Sequence, residues 1–434
     1  MIGIPMTSAS PTMALPISHE DYSRGVQACY FPGSGLGGTF LEYLYNSTGM
    51  DIAKDCIEVY KYIATNYTEQ KEIWMFGLSR GSYTVRLVGG MINNCGIIKT
   101  GTHTERTIDS LCNDVYEIYR SPFPENRPNG SSSLEFRRCV SHHVSTPIKF
   151  MGLLDTVGAM GVPKLDAGIG WTFPEFYDLK ISSEIEKVYH ACAIHDRLWI
   201  FQPCRAFRKP IPNKPWFKVH ERWFPGCHYD LGRQRFRFFP NGKDIIQRTI
   251  AWAFHPLDKV IKPNKVLADL VLKWMLESIN TEDPHGNVIL NIDNRIRNLI
   301  GAIENGHDTG SGDVYDRILE YGPGGKLFAV GAKMADAAVA FLDVASTDKL
   351  GTALRNFFGL GLIIGTIAET KNRRIEDVNA VVTRYDEASN MIGDQSIETL
   401  AGINTNRYPS STFGNFQKYL SAMQVDFSPG SIPF

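Results

Sequence analysis

Residues 71–95 read KEIWMFGLSRGSYTVRLVGGMINNC, and the order of three parts within them decides the fold. Ile73, Trp74, Met75 and Phe76 form a short β-rich run, Gly77-Leu78-Ser79-Arg80-Gly81 follows, and an apolar segment with helical spacing continues to Cys95. Strand, G-x-S-x-G, helix is the nucleophile elbow, a tight turn that pushes a serine hydroxyl out of the edge of a sheet. Gly77 and Gly81 are expected there because a Cβ at either position would clash with neighbouring backbone. The turn also aims the N–H of Arg80, and the positive end of the helix, at the place where an oxyanion would form. The plainer alternative for Ser79 is a surface serine on a glycine-rich turn. The buried-type strand before it and the amphipathic helix after it favour the nucleophile.

A nucleophilic serine needs a base, and the base needs a carboxylate to orient it. After an elbow these follow in the order acid, then histidine, on loops after later strands. Residues 147–154 (PIKFMGLL) are a continuous apolar run of strand length, as expected for a parallel strand buried on both faces. The run ends in Asp155-Thr156-Val157-Gly158, so Asp155 stands at the carboxyl end of a buried strand, where open α/β sheets place ligand-facing groups. Residues 218–224 (KVHERWF) are another short strand candidate and lead into Pro225-Gly226-Cys227-His228, which puts His228 in a turn just after a strand. Ser79, Asp155 and His228 thus occur in the required order. Asp196 and Asp230 remain alternative acids, since an isolated Asp after a strand is commonly a cap or turn former. His190, His195 and His220 remain alternative bases, the first two expected on or beside a helical stretch and His220 inside the strand.

GLSRGSYTVR (77–86), FMGLLDTVGAMG (150–161) and ERWFPGCHYDLG (221–232) together resemble the three signature blocks of an α/β-hydrolase-like family. That family includes the catalytic domain of type VI secretion phospholipase effectors, and the chain is most similar to its fungal branch. DIAKDCIEVYKYIATNY and YHACAIHDRLWIFQPC fit two further family stretches, and the resemblance runs from Gln27 to Arg237. It implies an α/β-hydrolase-like, mostly parallel sheet flanked by helices. It also implies Ser79, Asp155 and His228 as nucleophile, acid and base in hydrolysis of a carboxylic ester, in particular a lipid or phospholipid ester. Gly77, Arg80, Gly81 and Gly35 would then line the oxyanion and substrate loops, with Asp230 and Arg86 supporting the triad. Two departures stand out. Family members open with a strand ending in Asp-Gly-Thr, whereas the residues before Val26 are broken by Pro5, Pro11 and Pro16. The family's glycine run after the final Asp is replaced by Leu231-Gly232-Arg233-Gln234. The alternative is therefore a catalytically inactive hydrolase-like scaffold used for binding.

Composition bounds the rest. With 434 residues and 43% hydrophobic content the chain can bury a large core. A net charge of −1 favours no nucleic-acid partner. The eight cysteines have no disulfide-framework spacing, and Cys95, Cys192 and Cys227 lie in apolar or signature segments, as buried thiols of a reducing compartment would. Cys204 and Cys227 with His190, Cys192, His195 and His228 show no zinc-ribbon spacing, so no metal or other cofactor is expected. No charged n-region followed by an apolar h-region opens the chain, and the expected location is cytoplasmic, with peripheral membrane contact at most. The most apolar segment, residues 357–368 (FFGLGLIIGTIA), is far short of the ~20 residues that span a bilayer. It reads as a buried or interface helix, with a dip into a membrane surface as the alternative.

The expected organisation is a weakly structured lead (1–25), a catalytic domain (26–240), a mainly helical region packed on it (241–408) and a loose tail (409–434). Residues 26–31 are expected as a strand, and the glycines at 33–38 as a loop at the site rim. Those glycines match G-x-G-x-x-G by letter, but no helix opens on them and no acid-tipped strand follows. Helices are expected at 51–67, capped by Asp51, and at 107–119, 266–279, 326–345 and 373–388. Residues 121–133 read as a surface loop and 161–178 as a connection placed to act as a substrate lid. Residues 233–239 (RQRFRFF) alternate like an edge strand, with an anionic head-group site as the sharper reading.

Overall fold

Ile73–Leu78 forms the first strand, β1, and every residue of it is buried. Its alternation splits the core into two layers. Ile73 and Met75 point to one face with Met151, Leu153, Val188 and Val219. Trp74, Phe76 and Leu78 point to the other with Phe150, Leu154 and Tyr189. A period-2 strand that is apolar on both faces is what a parallel sheet covered on both sides requires.

The computed structural model describes residues 26–32, 49–101, 106–157, 181–196, 203–206, 208, 213–214, 216–224, 226–236, 260–306, 310–313 and 390–392. The expected Gly35 loop, the lid at 161–178, the helices at 326–345 and 373–388, the apolar segment at 357–368 and the tail lie outside the described residues. In chain order the elements are α1 (Gly49–Asn66), β1, α2 (Arg80–Cys95), α3 (Ile108–Arg120), a 3₁₀ turn (Pro124–Asn126), α4 (Ser131–Val140) and β2 (Ile148–Leu154). Then come β3 (Ile185–Ala193), β4 (Lys218–Phe224), α5 (His228–Leu231), α6 (Lys265–Glu282), α7 (Ile292–Glu304) and β5 (Asn390–Ile392). Among the described residues five strands pair in the order β1-β2-β3-β4-β5, and each of these pairings is parallel.

Cys56, Val59, Tyr60 and Ile63 of α1, Val85, Val88 and Met91 of α2, and Leu111 and Val115 of α3 cover the first face of the sheet. Val271, Met275, Leu276 and Ile279 of α6, with Ile292 and Ile296 of α7, cover the second. On that second face a row of rings crosses the strands: Trp74 stacks on Phe150 at 4.9 Å, Phe150 on Tyr189 at 5.1 Å, and Tyr189 on His220 at 4.5 Å. Each such pair is worth about 0.5–1.5 kcal/mol beyond the area it buries. The row also gives His220 a packing role within β4.

Several expectations need correction. Residues 26–32 carry no strand. Side chains fasten this segment across α1 instead, Gln27 Nε2 donating to Asn66 Oδ1 at 2.7 Å and Phe31 meeting Tyr62 edge-on at 5.7 Å. Helix α1 starts at Gly49, so Asp51 lies inside it rather than capping it. Helix α4 begins within the expected surface loop, at Ser131. His190 lies in β3 and His195 just after it, not on a helix; Glu186, Lys187 and His190 break the apolar run by which β2 is recognised. Arg233 sits in a turn at φ 49, where an edge strand was expected, and Phe236 forms a single bridge to Ile261.

Candidate active site

Leu78 and Leu154 end β1 and β2 in register, so Ser79 and Asp155 leave the sheet side by side at its carboxyl edge. The turn after β1 is tight. A Cβ on Gly77 would lie 2.4 Å from Ser82 N and 2.5 Å from the Gly81 carbonyl oxygen, all of it backbone that cannot yield. Gly81 differs from expectation: among the described residues nothing lies within 4 Å of where its Cβ would be. Ser79 stands at φ 57 and ψ −122 and makes no side-chain cap bond to α2, so the helix does not use its hydroxyl. Arg80 opens α2. The first N–H groups of a helix have no intrahelical partner and carry its positive end.

Asp155 is also at positive φ, 41. Such backbone in a residue other than glycine costs on the order of 1–3 kcal/mol and persists only where surroundings hold it. The surroundings do hold both turns. Ser79 N donates to Leu154 O at 2.8 Å, Asp155 N to Ala191 O at 2.7 Å, and Val157 N to Ser79 O at 3.3 Å. Ser82, which no motif flagged, ties the two strand ends together: its hydroxyl donates to Gly77 O at 2.5 Å and accepts from Leu154 N at 3.0 Å.

Phe224 ends β4, and the chain returns as the single turn α5, whose first residue is His228. The His228 ring meets Asp155 with Nδ1 2.6 Å from Oδ2, and Oδ1 of Asp155 accepts from Ala193 N at 2.9 Å. Ser79, Asp155 and His228 are all buried. The structure therefore pairs Asp155 with His228 and sets Ser79 on the neighbouring strand end.

The other candidates have structural partners. Asp196 Oδ2 accepts the backbone N–H of His228 at 3.0 Å. Asp230 accepts Cys227 N on Oδ2 at 2.8 Å and Asn264 N on Oδ1 at 2.7 Å. Asn264 in turn caps α6 by accepting from Val266 N and Leu267 N. His195 Nδ1 accepts from Gly226 N at 2.8 Å. Neither acid faces the His228 ring through these bonds. Arg86, buried in α2, donates to Cys204 O at 2.6 Å and Arg205 O at 3.1 Å, joining the helix after Ser79 to the segment beyond β3.

Burial, and then the carboxylates of Asp313, Asp196 and Asp230, push the Cys227 thiol well above its usual value. It stays a thiol beside His228 and donates to His195 O at 3.5 Å. Glu221, absent from the expected site residues, joins His190 and Cys192 in a buried group whose ligand-type atoms lie within 4.8 Å of one another. None of the eight cysteines forms a disulfide. No helix among the described residues is long and apolar enough to cross a membrane.

Parallel strands with helices on both faces make this an α/β-hydrolase-like fold. The chain belongs to the family described as T6SS phospholipase effector Tle1-like, catalytic domain, which matches residues 13–278. That match extends beyond both ends of the resemblance in the signature blocks. The uncharacterized protein YEL023C of Saccharomyces cerevisiae is 26% identical over 163 residues, covering 33% of this chain and 23% of that protein. The structure of the Tle1 effector bound to the VgrG spike from the type 6 secretion system is 17% identical, covering 47% of this chain and 35% of that one, with a TM-score of 0.22. The chain thus spans about a quarter of its yeast relative and about a third of the effector chain. Family membership supports a lipid-hydrolase-like activity as the general class.

Proposed function

We propose that the protein hydrolyses a carboxylic ester of a lipid through Ser79, His228 and Asp155. The observation that supports this most is the 2.6 Å contact between Asp155 Oδ2 and His228 Nδ1, made beside a serine on a strained strand-to-helix turn. Asp155 holds the Nδ1–H tautomer, which leaves Nε2 to take a proton. Ser79 Oγ attacks the ester carbonyl carbon while His228 removes the hydroxyl proton. The oxyanion of the tetrahedral intermediate is met by the Arg80 N–H at the start of α2. His228 returns the proton to the departing alcohol, leaving an acyl-serine. Water deprotonated by His228 then releases the fatty acid and restores Ser79. The same residues would pass the acyl group to an alcohol or lysolipid where one replaces water.

A fluorophosphonate probe, run beside release of fatty acid from phosphatidylcholine vesicles, tests the proposal. Wild-type protein is expected to be labelled and to release acid, and Ser79→Ala to do neither. A folded wild type that takes no label would instead favour the scaffold reading. One observation leans that way: residues 26–32 supply no strand, which leaves β1 outermost in the described sheet. A missing oxyanion donor from that side would cost about 10²–10³-fold in rate.

A further inference from the structure

We propose that His190 is a positioning residue that fixes the peptide plane after Asp155 and so aims the Asp155 carboxylate at His228. This rests on the reading of Ser79, Asp155 and His228 as a triad. Asp155 lies in the left-handed region, so its neighbours rather than its own preference set its direction. The peptide that follows it is held through its N–H. Its N–H, that of Thr156, donates to His190 Nε2 at 3.1 Å, and the carbonyl of the next peptide, Thr156 O, accepts from Cys204 N at 2.7 Å. The Thr156 N–H belongs to the bond leaving Asp155 itself, so the His190 ring sets the rotation about the Cα–C bond of the acid.

The ring can do this in one form only. Nε2 accepts from the Thr156 N–H, so the ring proton must be on Nδ1, where it is donated to Glu221 Oε2 at 2.9 Å. Burial alone would push the Glu221 carboxyl up. The Arg205 guanidinium and the His190 hydrogen bond outweigh burial and hold it at about 2, so Glu221 stays an acceptor. The backbone carbonyl of Arg205 is gripped by Arg86, on the helix that Ser79 starts. A chain of buried and part-buried polar contacts thus links the nucleophile's helix to the acid's peptide plane. Cys192 Sγ lies 3.7 Å from both ring nitrogens, yet the group does not suit a metal. Arg205 already neutralises Glu221, and the Thr156 N–H already occupies the Nε2 lone pair.

Two variants separate positioning from mere packing. The amide oxygen of His190→Gln reaches the place of Nε2 and can still accept from Thr156 N–H. His190→Asn reaches only the place of Nδ1 and leaves that N–H without its acceptor. Hydrolysis of a soluble p-nitrophenyl ester is the first readout. Asn is expected to lower kcat about 10²-fold with KM little changed, the size of loss that a misplacement of about 1 Å produces, while Gln keeps most of it. The second readout needs no activity: the low-field proton of the His228 ring N–H, identified by its loss in His228→Ala. It is expected to persist in the Gln variant and to vanish in the Asn variant. Wild-type values of both readouts in His190→Asn would overturn the proposal, and so would equal losses in the two variants that track their Tm. If Ser79→Ala leaves hydrolysis intact while the Asn variant alone loses the proton, the triad reading falls and the positioning role stands.

Discussion

Asp155 has two oxygens and two tasks. Oδ1 accepts the Ala193 N–H and Oδ2 faces the His228 ring. Asp155→Asn keeps the first contact with its amide oxygen, which then turns the NH₂ toward Nδ1. The ring is driven to the opposite tautomer, with its proton on Nε2, and cannot receive the Ser79 proton. On the proposed mechanism kcat falls about 10⁴-fold, the loss that a reversed tautomer causes in triads of this kind, while Tm changes little. Asp196→Asn is the matched control. Its carboxylate serves the backbone N–H of His228, a duty that an amide oxygen can take over, so its loss in kcat should be far smaller. Steady-state kinetics on a soluble ester, with Tm measured in parallel, decides between them. Equal losses in the two variants would remove Asp155 from its special place.

At the scale of the element, the β1–α2 turn depends on one glycine more than on the other. A side chain on Gly77 meets the Ser82 N at 2.4 Å, and Ser82 is also the residue whose hydroxyl links the ends of β1 and β2. Gly77→Ala should therefore unfold the turn or lower Tm sharply, in the range of 1–3 kcal/mol or more that overpacking costs. Gly81→Ala should be stable and labelled by the probe like wild type, since among the described residues nothing occupies the space it enters. Chemical denaturation of both variants checks this, and equal stability of the two would contradict the geometry. The same turn shows what was legible in the sequence. Strand, elbow and helix were readable from 71–95 because a β-rich apolar run gives way to helical spacing across a glycine signature. β2, β4 and the order Ser79, Asp155, His228 were readable from apolar runs ending in turn residues. β3 was not, because Glu186, Lys187 and His190 interrupt it, leaving neither a continuous apolar run nor a strict alternation. The support given by Ser82, His190 and Glu221 was not readable either, because it depends on contacts between strands whose register no local pattern encodes.

At the scale of the whole molecule, the thiols report how the layers hold together. Cys139 is exposed and Cys29 half-buried, whereas Cys56, Cys95, Cys112, Cys192, Cys204 and Cys227 are buried thiols outside any disulfide. Burial pushes Cys95 and Cys112 up to about 12, the Asp109 carboxylate adding to it at Cys112, and Cys56 and Cys227 go higher still. Only a thiolate attacks a disulfide reagent, so near pH 8 these groups are protected twice, by access and by protonation. They are also well placed. Cys56, Cys95 and Cys112 belong to the helical layer of α1, α2 and α3 on the first face of the sheet. Cys192 lies in β3, and Cys227 adjoins His228 at the site edge, where Asp230 and Asn264 join α5 to α6. If sheet and flanking layers open as one unit, a disulfide reagent should modify Cys139 at once and Cys29 more slowly. The buried thiols should then react together, at the rate of global unfolding. Mass mapping of the modified peptides against time measures this. Early modification of Cys227 with Cys56 still protected would mean that the site edge, tied to α6 through Asp230, opens on its own while the first helical layer stays closed.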